Sequence, residues 1–275
     1  MSLKFRLIPC LLLKNGLIVR SELFKYHQII GDPTTQLTRY NQWSVDELVY
    51  LDISQDDAYD VRRSDAKIQT AGKHTLLDII SEVSKVCFAP LTFGGRIRSI
   101  DDMRARFSCG ADKITINTLA IENPESITEG ARVFGSQAIV VSIDVKQHED
   151  GSYEVYKGGR HSTGLDPVAW AQEAEACGAG EILLNSIDRD GTAQGYDLKL
   201  VRSVADATRI PVVALGGVGR WQHFIDVIRE GGASAAAAAN IFHFTEMSYK
   251  HAKNHMHQGG VDVRLPYVPP QAARG

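Results

Sequence analysis

The feature that most constrains this chain is a recurrence. Short apolar runs lie near 6–13, 47–53, 86–93, 112–116, 137–144, 181–187, 210–215 and 234–238, and a stretch of helical character follows each. Most runs have the length and β-branched content of strands buried on both faces, as in a parallel sheet. Eight strand-then-helix units close into a (β/α)8 TIM barrel, which takes ~250 residues as one domain. The chain has 275 residues, so a single barrel over 1–265 fits better than two domains. An open doubly wound sheet is the alternative, but no GxGxxG turn supports it.

Local signals agree with this reading. Asp32-Pro33, Asn123-Pro124 and Asp166-Pro167 each put a capping residue before a proline suited to a first helical turn. Ser99-Ile100-Asp101-Asp102 resembles a capping box with Asp for Glu, and Gly178 is placed to end a helix over 168–177. The 146–163 stretch has the look of a hairpin added to a loop. The final stretch, 266–275, follows the barrel as a loosely ordered tail.

The two halves resemble each other. Leu11-Leu12-Leu13-Lys14 aligns with Ile143-Asp144-Val145-Lys146 at an offset of 132 residues, and Gly94-Gly95 and Gly110-Ala111 align with Gly216-Gly217 and Gly232-Ala233 at 122. A half-barrel repeat predicts two related phosphate sites, because glycine lets backbone N–H groups approach an anion closely. The first half offers Gly94, Gly95, Asn117 and Thr118. The second offers Asp190, Gly191, Gly216, Gly217, Ala239 and Asn240. Taken singly, such glycines also serve as plain turn residues.

Composition removes other classes. Thirty Lys and Arg against thirty-three Asp and Glu leave a formal charge of -3, without the basic footprint of a nucleic-acid or anionic-membrane binder. Cys10, Cys87, Cys109 and Cys177 show no metal-type spacing, so a reducing, cytoplasmic setting is expected. His251, His255 and His257 lack the accompanying ligands of a metal site and suit a solvated helix face. Neither metal nor cofactor is expected.

The stretches DELVYLDI (46–53), GADKITINTLAIENP (110–124), VFGSQAIVVSID (133–144), TGLDPVAWAQEAEACGAGEILLNSIDRDGTAQGYD (163–197) and ANIFHF (239–244) resemble the cyclase subunit of imidazole glycerol phosphate synthase, from about residue 4 to 265. The resemblance implies a barrel that docks a glutaminase subunit on its bottom face and passes ammonia to a ribonucleotide at the top. Arg6, Glu47, Lys113 and Glu181 match that family's charged ammonia gate, and Asp112 matches a glutaminase contact. Charges at strand starts otherwise simply face water.

The top face departs from the family. Of its two catalytic aspartates, which serve as general acid and base, the second is Asp144, but the first position holds Leu12. The phosphate turn Gly-Gly-Gly reads Gly94-Gly95-Arg96, a threonine has become Asn185 and a serine has become Leu215. Arg96 either pairs with an anionic substrate or faces solvent. Lys14 and Asp52 lie along their strands as substitute proton carriers. Arg20 and the 20–31 segment resemble the family's mobile first loop, and His243 suits an architectural hydrogen bond.

With the LLLKNGLIV opening (11–19), this pattern resembles a divergent branch that accompanies surface-polysaccharide genes. The leading expectation is therefore an ammonia-delivering synthase subunit acting on a phosphorylated or nucleotide-sugar substrate in acetamidino-sugar formation. Its partners would be a glutaminase and an ATP-dependent amidotransferase. The alternatives are the cyclase of histidine biosynthesis and a catalytically silent partner of the glutaminase.

Overall fold

The computed structural model describes residues 3–54, 75–243 and 247–265. In chain order its elements are β1 (Arg6–Lys14), β2 (Leu17–Glu22), β3 (Tyr26–Gly31), α1 (Pro33–Gln42), β4 (Leu48–Asp52), α2 (Leu76–Val86), β5 (Leu91–Gly94), α3 (Ile100–Ser108), β6 (Lys113–Ile116), α4 (Thr118–Glu122) and α5 (Glu125–Phe134). There follow β7 (Ile139–Gln147), β8 (Tyr153–Lys157), β9 (His161–Ser162), α6 (Pro167–Ala176), β10 (Glu181–Ser186), α7 (Leu198–Ala207), β11 (Val212–Leu215), α8 (Gln222–Arg229), β12 (Ala235–Ala238) and α9 (Ser248–Gln258).

Eight strands pair in parallel in the order β1, β4, β5, β6, β7, β10, β11, β12, and β12 returns to β1. The sheet is a closed α/β barrel. Alternation along each strand splits the apolar residues into two clusters. The larger fills the layer between strands and helices. The smaller lies inside the barrel and includes Ile8, Cys10, Val49, Val140, Leu183 and Ala237.

Capping follows the sequence closely at α1 and α6. Asp32 accepts from Thr34 N (2.9 Å) and Thr35 N (3.2 Å), and Asp166 accepts from Val168 N and Ala169 N (both 2.9 Å). At α3 only half of the expected box forms, because Ser99 accepts from Asp102 N whereas the Asp102 carboxylate turns to Arg98 N (2.8 Å). Asn123 does not cap α5. It ends the short α4, its N–H donating to Leu119 O (2.8 Å), and Pro124 takes the N-cap position of α5. The run expected at 86–93 is strand only from Leu91, since Val86 closes α2 and Phe88 is 91% exposed.

The segment at 20–31, which resembles a mobile first loop in sequence, belongs to an antiparallel hairpin of β2 and β3 extending β1. Its entry turn is Asn15-Gly16, both at positive φ (50° and 78°). That dipeptide supplies the backbone twist a tight hairpin requires. A second hairpin, β8 and β9, extends β7 within the stretch 146–163. The tail at 266–275 lies outside the described residues.

Candidate active site and gate

At the bottom of the barrel the four charges predicted from sequence meet in a closed ring. Arg6 donates Nη1 to Glu47 (2.7 Å) and Nη2 to Glu181. Lys113 Nζ donates to Glu47 Oε1 (3.0 Å) and to Glu181 Oε2 (2.9 Å). Thr92 Oγ1 adds a bond to Glu47 (2.8 Å). Burial alone would raise the Glu181 carboxyl, but Arg6 and Lys113 outweigh it and hold the group below its ordinary range. A second network fixes the strand starts that carry this ring. Asp46 accepts from Leu7 N (2.9 Å) and from the fully buried Lys253, while Tyr249 OH donates to Leu7 O (2.8 Å). Asp112 accepts from Leu91 N (2.8 Å).

At the top, Asp144 is buried at the end of the interior column of β7. Asn185 Nδ2 donates to its Oδ1 (3.2 Å) and Asn117 Nδ2 reaches its Oδ2 (3.4 Å). Burial pushes the carboxyl up to about 7; the Asn185 bond opposes this and nearby Asp190 adds to it. Such a group exchanges a proton readily near neutrality. Its counterpart, Leu12, pairs in register with Leu51, so both are apolar where Asp144 and Asn185 are polar.

The substitutes considered for Leu12 are engaged elsewhere. Asp52 stands in register with Leu13, not Leu12. It accepts from Ser54 N (3.0 Å) and Ser54 Oγ (2.5 Å), and pairs with Arg96 at 3.7 Å. Arg96, only 15% exposed, therefore does not face solvent as one alternative had it. Lys14 Nζ lies 3.5 Å from His27 Nδ1.

The second-half residues come together. Asp190, Gly191, Gly217, Ala239 and Asn240 line a cleft of ≈ 220 Å³, roofed by Arg20, Ser21 and Glu22 of the first hairpin. Ser21 Oγ (2.8 Å) and Phe24 N (3.1 Å) donate to Asp190, and Asn240 Nδ2 donates to Ser21 O (2.7 Å). Desolvation raises the Asp190 carboxyl, with the Phe24 and Ser21 bonds opposing. In the first half, Gly94 and Gly95 sit at the end of β5 and Thr118 begins α4. Asn117 is spent on the scaffold, giving Nδ2 to Ser142 O (2.9 Å) and taking Gly158 N on Oδ1 (2.8 Å). Sequence reasoning missed Ser21 and His27 at the mouth, although Asn15-Gly16 signals the hairpin that brings them there. His243 is buried and burial lowers it to about 4, and its Nδ1 makes no hydrogen bond among the described residues. Among the described residues no cluster could hold a metal and no helix is long and apolar enough to cross a membrane.

A charged ring thus lies beneath an apolar barrel interior, with a buried carboxyl above it. The model of the histidine biosynthesis protein family matches residues 6–248. The chain belongs to that family. It is 45% identical over 265 residues to "Imidazole glycerol phosphate synthase subunit HisF" of Caulobacter vibrioides (strain NA1000 / CB15N), covering 96% of this chain and 97% of the relative. The subunit of the same name from Alkaliphilus metalliredigens (strain QYMF) is 44% identical over 260 residues, 94% of this chain and 98% of the relative. Family membership thus rests on nearly the whole length of the chain.

Proposed function

We propose that this chain is the synthase subunit of a glutamine-dependent complex of the imidazole glycerol phosphate synthase type. It receives ammonia from a glutaminase docked on the bottom face and delivers it to a phosphorylated ligand at the top. The observation that carries this reading is the closed ring of Arg6, Glu47, Lys113 and Glu181. Two cations and two anions pair fully, so the ring holds no net charge against a small neutral molecule. The apolar interior above it favours neutral ammonia over ammonium, which would be stripped of water there. Leu3 and Phe88, 95% and 91% exposed near the strand starts, supply apolar surface for the partner.

The names of the relatives favour ring closure in histidine biosynthesis as the reaction at the top, the reading ranked second from sequence. Asp144 then acts as one proton carrier, with no carboxylate at Leu12 to act as the other. Leu12 in turn favours a second reading, in which an ATP-dependent amidotransferase phosphorylates or adenylates the amide oxygen of a nucleotide sugar, and ammonia adds to that carbon and expels the oxygen with its phosphate or adenylate group, to give an acetamidino group. That chemistry does not call for an acid and base on opposite sides of a closing ring. The purified chain, given ammonium and the histidine-pathway ribonucleotide, separates the two. Cyclised product supports the first reading, and its absence in a folded, ligand-binding protein supports the second. A chain whose glutaminase-coupled activity is unchanged by Asp144→Asn would be a silent partner.

A further inference from the structure

The two glycine turns follow the same path for one residue and then part. Gly94 ends β5 and Leu215 ends β11, so Gly95 corresponds in space to Gly216 and Arg96 to Gly217, one residue off the alignment read from sequence. A Cβ on Gly95 would fall 2.1 Å from Asp52 O, and one on Gly216 would fall 2.9 Å from Ser186 O; Asp52 and Ser186 end equivalent strands. At the next position Gly217 (φ 96°) lies against Gly195, where a Cβ would meet the carbonyl oxygen at 2.2 Å. Its mate Arg96 also has positive φ (57°), a backbone shape that disfavours a residue bearing a side chain.

The arginine is tied down on both sides. Its Nη1 lies 3.7 Å from Oδ2 of Asp52, whose side chain is fully buried. Arg106 Nη2 donates to the carbonyls of Gly95 (3.0 Å) and Arg96 (3.3 Å). An anion arriving here meets a guanidinium already matched by a carboxylate, and a Cβ where its mate offers bare backbone. Asn117 is committed to Ser142, Asp144 and Gly158.

We infer that Arg96, through its pair with Asp52, is a specificity-determining residue that removes the first-half phosphate site, so that the barrel takes ligands with one phosphate end and not two. The inference rests on the proposed role of the second-half cleft as the remaining phosphate site. It selects a singly phosphate-anchored ligand, whose other end lies over Leu12 and Leu51.

A titration of the full chain with inorganic phosphate, followed by 31P NMR and calorimetry, tests this. Wild type is expected to bind one phosphate and Arg96→Gly two, with Gly217→Ala abolishing the site present in wild type. Should Arg96→Gly alone fail to fold, the double variant Arg96→Gly, Asp52→Asn removes the Cβ and both charges together and is expected to show the same gain. Two sites in wild type, or no added site in either folded variant, overturn the inference. An added site in the variants together with a wild-type site that survives Gly217→Ala supports the inference and overturns the second-half assignment instead.

Discussion

The first half-barrel and the second divide their labour in opposite ways at the two ends of the barrel. At the bottom, the first half supplies Arg6, Glu47 and Lys113, and the second supplies only Glu181. At the top, the second half holds Asp144, Asn185 and the cleft, whereas the first presents Leu12 and Leu51. A duplicated scaffold therefore need not keep duplicated chemistry. Strand pairing fixes the positions, and each position is then filled for its own end of the barrel.

Substitutions at matched positions test this division. The largest loss of stability is expected at the charged ring. Lys113→Met leaves two buried carboxylates facing Arg6 alone, and should lower stability by about 3 kcal/mol in denaturant titrations. Glutamine-dependent turnover of the complex should fall at least tenfold, while turnover with added ammonium changes far less.

Asp144→Asn should reduce turnover by ~100-fold, the usual weight of one proton-transfer group. It should also stabilise the fold at pH 8. The folded carboxyl titrates at about 7, above its unfolded value. Its contribution is therefore fully present below pH 4 and is lost as pH rises through 7. The asparagine variant should gain on the order of 1–3 kcal/mol over wild type at pH 8 and nothing at pH 4, as melting curves across pH would reveal. If Asp144 works as a base, wild-type turnover rises with pH through about 7.

Leu12→Asp restores the symmetric pair. The new carboxylate enters an apolar setting beside Leu51, so a loss of about 2 kcal/mol is expected, together with a raised pKa for the introduced group. If only this carboxylate is missing for ring closure, the variant gains or accelerates turnover of the histidine-pathway ribonucleotide. The smallest effect is expected for Ser21→Ala, which removes one bond to Asp190 and should cost about 1 kcal/mol. Hydrogen exchange should quicken in the first hairpin and leave the second unchanged.

The barrel was legible because its signals are local and repeated. Asp32-Pro33 and Asp166-Pro167 cap helices as their chemistry dictates, and Gly178 takes the positive φ (101°) of a helix end. From the residues alone the ring was legible only as four charges at strand starts, and the family resemblance joined them; strands far apart in sequence bring them together. The partner of Arg96 could not be read from sequence, since Asp52 is equally suited to work at the mouth. Nor could the commitment of Asn117 to the scaffold, which depends on Gly158 in the second hairpin. The first hairpin was open to reading, because Asn15-Gly16 is a strong turn signal, whereas the resemblance at 20–31 points to a mobile loop.

That first hairpin springs from β1 yet is fastened by Asp190 and Asn240 of the other half. It works as a strap across the seam between the two half-barrels. A half-barrel excised and paired with a copy of itself would bring either two straps without their buckles or two buckles without a strap.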